Sequence, residues 1–262
     1  MAKTKIVIPD KVYKKYDGSV TIDFYEKYGR YNHIYIRREN QEWLTSVTKA
    51  TGILDKPALI PWAVSEMEKR ILLTFNQGKK ITNYDISLAK NAWREKRDDS
   101  ADKGKIIHDL ASKTIDFHLG KLKKMPKIPK IQEVENGYLA FLQWVNKHKV
   151  KFIETELLVY SKKNDFVGTL DCIAEVDGKY CLIDFKTGNG IYWEMLLQVS
   201  GYAIAHEEES KKKFDSCWIV RFGKDTADFE CKEFKATPKL RKGFLSCLYL
   251  AQLKKEAEAI IK

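Results

Sequence analysis

The chain has 262 residues, of which 44% are hydrophobic and 32% charged, a composition that excludes a disordered polyelectrolyte and a collagen-like chain. Lysine and arginine number 47 against 36 aspartates and glutamates, a formal net charge of +11, which favours a polyanionic partner, with nucleic acid ahead of a membrane surface. The opening residues lack a secretory signal and no run reaches the length of a membrane span, so we expect a soluble, cytoplasmic protein without membrane contact.

Residues 1–45 alternate β-forming residues with turn residues, and the runs 34–37 and 42–44 are typical of a hairpin. We therefore predict a small N-terminal β element. Aromatic residues are interleaved there with lysines and arginines, which suits base stacking beside phosphates and also half-buried tyrosines on a ribbon. These aromatic residues are Tyr13, Tyr16, Phe24, Tyr25, Tyr28, Tyr31 and Tyr35.

From Ser46 to residue 150 the pattern is helical. Ser46 is a typical N-cap for a short helix through residue 54. Gly120 is a typical end for the helix before it, and a loop with five lysines follows at 121–130, where solvation and phosphate contact are both open. The longer helices are predicted near 58–75, 83–97, 101–119 and 131–148.

From residue 151 onward, hydrophobic residues alternate with the two-residue period of β-strands. We predict strands at 152–160, 167–176 and 179–187, a helix at 193–208, strands at 216–222 and 228–234, and a final helix from 238 to the end. This order is typical of a mixed α/β core. The expected division is an N-terminal β element (1–45), a helical region (46–150) and an α/β core (151–262), the last two forming one compact unit.

The excess positive charge lies in the first half of the chain. Residues 1–150 hold 29 basic and 18 acidic side chains, whereas residues 151–262 hold 18 of each. The first half is therefore better suited to hold an anion. The five cysteines are an odd number without a CxxC pair, so we expect buried reduced thiols and no iron–sulfur cluster.

Two of the predicted strands are joined by Asp177-Gly178, the strongest short signal for a hairpin. A two-residue turn fixes the register, so that Asp171 is predicted to lie opposite Asp184. Because side chains alternate along a strand, both acids and Lys186 are expected on one face of the sheet.

Two carboxylates on facing positions destabilise a sheet unless a cation or a proton lies between them. A divalent cation resolves the repulsion, and oxygen ligands favour Mg²⁺ or Mn²⁺ over Zn²⁺. Lys186 would point toward the same site, where it can hold a water or stabilise charge on a phosphate. The alternative is a solvated acidic edge, which the apolar neighbours Leu182, Ile183 and Phe185 disfavour.

These residues resemble a known nuclease signature. The run GTLD at 168–171, followed after twelve residues by DFK at 184–186, is similar to the PD-(D/E)XK signature in its RecB-type form. QVSGY at 198–202 resembles the QxxxY motif of that branch, and KGKIIH at 103–108 resembles its upstream histidine motif.

Two N-terminal segments, SVT at 46–48 and KPAL at 56–59, are similar to phage and mitochondrial genome maintenance exonucleases of this type. The resemblance covers about residues 46–205. It implies a restriction-endonuclease-like α/β core, with a central mixed sheet flanked by helices, to which this chain adds the N-terminal β element and the helical region.

The resemblance also implies a set of functional residues. Lys186 would assist catalysis, and Glu156 on the preceding strand would hold a second metal or orient a water. One or two Mg²⁺ or Mn²⁺ ions would be held by His108, Asp171, Asp184 and the main-chain carbonyl of Phe185.

Two helix faces agree with these roles. Gln198 and Tyr202 are spaced i, i+4 and share a face, which would bind a phosphate or brace Lys186 unless it is a polar surface stripe. Gly104 and His108 belong to a second stripe, which continues to residue 112 and whose small residues would let a metal or phosphate approach closely.

The predicted function is a Mg²⁺- or Mn²⁺-dependent DNA exonuclease acting from DNA ends in replication, recombination or repair, in a bacterial or phage-infected cell. Its expected partner is DNA, single-stranded or with free ends, with recombination or replication proteins as further candidates. The alternatives are a structure-specific or restriction-type endonuclease and a non-cleaving DNA-binding module. The predicted DNA contacts are Ser46, Lys49, Lys56, Lys121, Lys123, Lys124, Gln198 and Tyr202.

Overall fold

The computed structural model describes residues 7–29 and 31–261. The expected absence of a secretory signal concerns residues 1–6, which lie outside this range, as does the end of the last predicted helix at residue 262. The strands are β1 (Lys11–Lys15), β2 (Val20–Tyr28), β3 (Tyr31–Arg37), β4 (Glu42–Trp43), β5 (Thr45–Ser46), β6 (Lys151–Ser161), β7 (Phe166–Val176), β8 (Lys179–Lys186), β9 (Ser216–Phe222) and β10 (Phe229–Phe234). The helices are α1 (Val47–Thr51), α2 (Leu59–Asn76), α3 (Asn83–His118), α4 (Gln132–Lys147), α5 (Trp193–Ser210) and α6 (Pro238–Ile261).

The N-terminal β element is an antiparallel sheet in the order β1-β2-β3-β4. Its predicted hairpin is confirmed, because Ile36 pairs with Trp43 across β3 and β4. Apolar side chains on one face, among them Ile22 and Tyr35, pack against Tyr160 and Val167 of the central sheet. The tyrosines of this sheet occupy different environments: Tyr35 is buried, whereas Tyr31 is 43% exposed.

The strands of the central sheet follow the order β10-β9-β8-β7-β5. Strands β8 and β5 pair with opposite ends of the same edge of β7, and β6 pairs with its other edge. It is mixed, because β8 with β9 and β5 with β7 are parallel and the other pairs are antiparallel. Helices α3 and α4 bury one face, and α1, α5 and α6 bury the other. The predicted mixed α/β core, with a central mixed sheet flanked by helices, and the predicted N-terminal β element are therefore confirmed.

The turn between β7 and β8 has the conformation that its sequence requires. Asp177 and Gly178 have φ values of +50° and +81°, and positive φ at both central residues is typical of a type I′ hairpin turn. The pairing runs from Val176–Lys179 to Cys172–Ile183. The predicted register is therefore confirmed over this length.

Strands β7 and β8 part at the position of the two acids. Beyond Ile183, β8 continues as the parallel partner of β9, with Asp184 beside Ile219. On that edge of β7, strand β5 pairs only with 166–167, so residues 168–171 face an opening there within the described part of the chain. Asp171 and Asp184 thus stand at a fork between strands instead of forming the directly paired positions that the register predicts.

One helix, α3, replaces the two predicted at 83–97 and 101–119. The intervening Asp-Asp-Ser is polar but contains no glycine or proline, so nothing interrupts the backbone hydrogen bonds. Asp99 forms an i, i+4 ion pair with Lys103 at 2.8 Å, which supports the helix at the expected break. The predicted end at Gly120 is confirmed by its φ of +75°.

The remaining general expectations have simple outcomes. Residues 7–29 and 31–261 contain no helix that is long and apolar enough to cross a membrane. All five cysteines are free thiols, and four of them are buried. The division into 1–45, 46–150 and 151–262 stays a prediction.

Glu208 on α5 ties the N-terminal sheet to the core. It accepts hydrogen bonds from the Tyr16 hydroxyl at 2.8 Å, the Ser161 hydroxyl at 2.5 Å and the backbone N–H of Lys163 at 2.9 Å. Burial by itself would raise the pKa of Glu208, but these hydrogen bonds outweigh it and hold the pKa below the usual value. The ionised form therefore stabilises the fold.

We expect Glu208→Gln to lower the free energy of unfolding by about 1 kcal/mol at neutral pH, because a partly exposed charged acceptor is lost. The folded-state pKa is depressed, so this stabilisation is present above the unfolded pKa and disappears as pH falls through the folded pKa. Urea unfolding at several pH values measures the difference. Glu256→Gln, at an exposed glutamate of α6, is the control, and a deficit that is independent of pH would contradict the linkage.

Candidate active site

A cavity of about 310 Å³ opens where β7 and β8 part. Helix α3 supplies one wall, α5 another, and the start of α1 and the N-terminal sheet supply the rest. Seven of the residues singled out in the sequence line it together. They are Ser46, His108, Asp171, Asp184, Lys186, Gln198 and Tyr202.

The two acids are buried at the base of the fork. The side chain of Asp184 is 3% exposed and that of Asp171 is 19% exposed. Asp171 Oδ2 accepts a hydrogen bond from the backbone N–H of Phe185 at 2.7 Å. Burial raises the pKa of both carboxyl groups, and the charge of Lys186 acts in the opposite direction. The pair therefore depends on nearby positive charge to stay ionised.

Lys186 supplies part of that charge. Its ammonium group forms an ion pair with Asp184 Oδ2, an oxygen that is buried and has no hydrogen-bond partner of good geometry among the described residues. The lysine side chain is 19% exposed and lines the cavity. It therefore lies between the buried acid and the space that a ligand would occupy.

His108 reaches the site from α3. Its Nδ1 lies 3.9 Å from Asp171 Oδ2. Burial lowers the pKa of His108 to about 4, with a further lowering by Lys186. The imidazole is therefore neutral at pH 7 and offers a nitrogen lone pair.

The small residues of the histidine stripe have a different use from the one predicted. A Cβ on Gly104 would lie 2.6 Å from Thr187 Oγ1, and the Ser112 hydroxyl lies 3.5 Å from that of Thr155. Both positions therefore let α3 approach the sheet closely. This packing brings His108 within reach of Asp171.

The donor set has the chemistry of a hard divalent cation site. Two carboxylates and a neutral imidazole face one cavity, and the partner of the buried Asp184 Oδ2 among the described residues is the Lys186 ammonium. These groups suit Mg²⁺ or Mn²⁺. In the part of the chain that is described, no three His, Cys, Asp or Glu side chains are close enough together to form a finished metal site, and the Lys186 ammonium is the cation beside Asp184.

Gln198 and Tyr202 line the cavity instead of forming a surface stripe. Gln198 Nε2 donates a hydrogen bond to the Tyr202 hydroxyl at 3.0 Å. The Tyr202 ring lies against Gly168, where a Cβ would approach Tyr202 Cε1 to 2.6 Å and a Val47 methyl to 2.9 Å. The glycine of the GTLD run is therefore required by close packing.

Glu156 lies outside the cavity lining. It is an exposed residue of β6 with a φ of +50°, and beside it the Thr155 hydroxyl donates to the carbonyl of Asp171 at 2.8 Å. Protein atoms around the carboxyl group, and then the charge of Asp171, raise the pKa of Glu156 to about 7. Its metal or water role stays a prediction.

The predicted DNA-contact lysines lie at several places. Lys121 pairs with Glu154 and, at 3.7 Å, with Asp116, so its charge is largely neutralised by the protein. Lys49 lines a neighbouring cavity. Lys56, Lys123 and Lys124 are exposed and, like Lys121, lie outside both cavities.

The sequence analysis gave no role at this site to four residues that line it, although Tyr35 was among the aromatic residues considered for stacking and Thr48 and Thr169 lie within the quoted motifs. The four are His33, Tyr35, Thr48 and Thr169. Thr169 could have been found, because it is two residues from Asp171 on the same strand face. The Tyr35 hydroxyl lies 3.3 Å from that of Thr169. His33 carried no sequence signal, and the signal at Tyr35 did not point to this site; the packing of the N-terminal sheet brings both residues to it.

No protein-family model and no curated protein matches the chain. Among solved structures it is similar to the alkaline exonuclease LHK-Exo of Laribacter hongkongensis, with 14% identity, a TM-score of 0.36, and coverage of 57% of this chain and 79% of that one. For LHK-Exo in complex with dAMP the identity is 14%, the TM-score 0.38 and the coverage 57% and 80%. For the protein SSO0001 the values are 16%, 0.30, 57% and 86%. Similarity this weak carries no argument about activity.

Gly168→Ala tests the close packing behind the site. The added Cβ would clash with Tyr202 and Val47, so we expect a loss of about 1–3 kcal/mol in the free energy of unfolding, measured in urea. Gly188→Ala is the matched control, because a Cβ there meets nothing within 4 Å. Equal stability of the two variants would contradict the packing.

Proposed function

We propose that this protein is a divalent-metal-dependent deoxyribonuclease that hydrolyses phosphodiester bonds and acts from DNA ends. The observation that carries the proposal is the pair of buried acids at the strand fork, with Lys186 and a neutral His108 facing the same cavity. Two buried carboxylates with one lysine leave negative charge unbalanced. A sheet has no structural need for such a pair, whereas a metal-dependent hydrolase does.

His108, Asp171, Asp184 and the Phe185 carbonyl are the proposed metal ligands. The imidazole of His108 is neutral, as ligation requires, and a bound cation would add the positive charge that keeps the two acids ionised against the effect of burial. A divalent cation bound there would lower the pKa of a water and stabilise charge on the phosphate. Phe185 N–H orients Asp171 through its hydrogen bond, which holds one carboxylate oxygen in place.

The other cavity residues bind and orient the substrate in this proposal. Lys186 leaves Asp184 to donate to a phosphate oxygen, where its charge offsets the charge that develops during hydrolysis. Gln198 donates a hydrogen bond to the Tyr202 hydroxyl. Gln198 thereby orients this hydroxyl, which can donate its own proton to a phosphate oxygen. The hydroxyl groups of Ser46 and Thr48, which lie 3.1 Å apart, face the same space.

Action from ends is the part of the proposal that rests on the motif resemblance to RecB-type exonucleases. Residues of α3, α5 and the N-terminal sheet line the cavity of about 310 Å³, and the substrate experiment below separates cleavage at ends from internal cleavage. An endonuclease and a non-cleaving binding module are the competing functions. A role in replication, recombination or repair stays a prediction.

Asp184→Asn tests the acid, and Lys186→Gln tests the lysine. We expect each to reduce Mg²⁺-dependent digestion of end-labelled linear DNA at least about a hundredfold, because each removes charge at the reacting phosphate. Binding of the same DNA in EDTA should persist. Asp98→Asn, at an exposed acid of α3, is the control that retains activity.

Three substrate outcomes separate the functions. Release of mononucleotides from labelled ends supports the proposal, whereas nicking of circular DNA supports an endonuclease. DNA binding by the unaltered protein without cleavage in Mg²⁺ or Mn²⁺ supports a binding module. Full activity of Asp184→Asn would overturn the assignment of the site.

The basic loop gives a separate prediction about salt. Lys123 and Lys124 are exposed, and if both contact phosphates, neutralising them to Gln should reduce the slope of log affinity against log salt by about two. Lys121→Gln should change the slope less, because Lys121 already pairs with Glu154. Fluorescence anisotropy over a salt series measures both, and an unchanged slope in the double variant would leave the loop a solvated segment.

A further inference from the structure

A second cavity, of about 580 Å³, lies on the opposite face of β3 from the candidate active site. It lies between the N-terminal sheet, the end of α1 and the last turns of α6. Aromatic rings form one side of it, and three lysines with one acid, Glu258, lie on the other among apolar residues. The residues that matter here are Tyr31, Trp43, Lys49, Lys254 and Lys255, and we call this surface the aromatic–lysine groove.

The rings of the groove hold one another in fixed orientations. Trp43 packs edge to face with Tyr31, with centroids 5.2 Å apart at 88°, and with Tyr28, at 5.7 Å and 89°. Trp43 is nevertheless 37% exposed and Tyr31 43% exposed. An indole that its neighbours hold upright and that is partly open to solvent is a ready stacking surface.

The lysines of the groove are not neutralised by the protein. Lys49 and Lys255 form no ion pair within the described residues, and Lys254 only a long one, 3.8 Å from Glu258 on an exposed surface, which contributes little. Partial burial lowers the pKa of Lys49, and the charge of Lys255 lowers it further. Ammonium groups that repel each other in this way favour an anion between them.

The groove and the active-site cavity share the same two segments of chain. Along β3, Tyr31 and Ile34 line the groove, whereas His33 and Tyr35 line the active site. Around the start of α1, Thr45 and Lys49 line the groove, whereas Ser46 and Thr48 line the active site. Because neighbouring residues of a strand point to opposite faces, the two cavities lie on opposite sides of β3, and a single DNA strand that reaches both must pass around the edge of the sheet.

We propose that the aromatic–lysine groove binds single-stranded DNA, with a base stacked on Trp43 and the backbone phosphates on Lys49 and Lys255. This inference rests on the proposed nuclease function and names its substrate as an unpaired strand. Only an unpaired base offers a free face for stacking, so duplex DNA does not fit the aromatic side. A phosphate backbone, and not an apolar peptide, matches the lysine side.

Trp43→Ala tests the stacking, with affinity for an oligothymidylate measured by fluorescence anisotropy in EDTA. We expect the Kd to rise about tenfold, because one stacked base is lost. Trp43→Phe should stay within about threefold of the unaltered protein, since it keeps an aromatic face. Tyr84→Ala, at a 71% exposed tyrosine of α3, is the control with unchanged affinity.

Lys255→Gln provides a second variant, which substitutes an exposed α6 side chain without touching the sheet. It should reduce the salt slope of single-strand binding by about one. Photo-crosslinking of an iodouracil oligonucleotide should label Trp43 within the tryptic peptide 39–49, and fragmentation of that peptide should place the label at Trp43 and not at Ser46 or Thr48, which line the active site. Unchanged affinity in Trp43→Ala together with an unchanged slope in Lys255→Gln would overturn the proposal.

The failure of this inference differs from the failure of the proposed function. If the unaltered protein digests DNA in Mg²⁺ but both groove variants bind single strands normally, the groove assignment is wrong and the nuclease stands. If the groove variants lose affinity but no metal supports cleavage by the unaltered protein, the groove is supported as a single-strand binding surface and the nuclease is wrong. Tighter binding of duplex than of single strands would overturn the groove assignment.

Discussion

The hydrogen bond from the Phe185 backbone N–H to Asp171 Oδ2, 2.7 Å long, is the contact on which the site depends. Where β8 leaves β7, a backbone donor loses its partner on the neighbouring strand, and a buried donor without a partner is costly. The Asp171 carboxylate replaces the missing strand. The fork can therefore stay open, and the opening becomes the cavity that α3, α5 and the N-terminal sheet line.

The core holds the fork rigid. The Phe185 ring lies between the two charged residues Asp184 and Lys186 in sequence but points into the opposite layer. There it contacts other aromatic rings at centroid distances of 5.2–6.0 Å, those of Phe141, Trp144 and Phe222. Interiors packed at this density resist small displacements. Unfavourable charge burial at Asp184 is therefore tolerated because the strand that carries it is fixed by apolar packing.

The N-terminal sheet lies between the two candidate sites and contributes residues to both. Its buried face joins the central sheet through Ile22 and Tyr160, and Glu208 fastens its first turn to α5. Strand β3 then presents His33 to one cavity and Tyr31 to the other. Part of the excess positive charge of residues 1–150 is placed here, because Lys49 lies beside exposed aromatic rings.

The sequence by itself determined what is local. Asp177-Gly178 set the turn and hence the register as far as Cys172–Ile183, because a two-residue loop allows one pairing. Strand alternation put Asp171, Asp184 and Lys186 on one side, and helix spacing did the same for Gln198 and Tyr202. Residue propensities gave a wrong prediction within α3, where the polar run at 98–100 resembles the boundary between two helices.

Tertiary structure alone decided what depends on residues far apart in the chain. The departure of β8 toward β9 follows from a parallel pairing with residues 216–221, which no local pattern encodes. The neutralisation of Lys121 by Glu154 and the arrival of His33 and Tyr35 at the site are likewise long-range contacts. Local geometry is fixed by steric limits on a few neighbouring residues. These long-range contacts form only when whole surfaces pack against each other, and the residues of those surfaces are distributed along the entire chain.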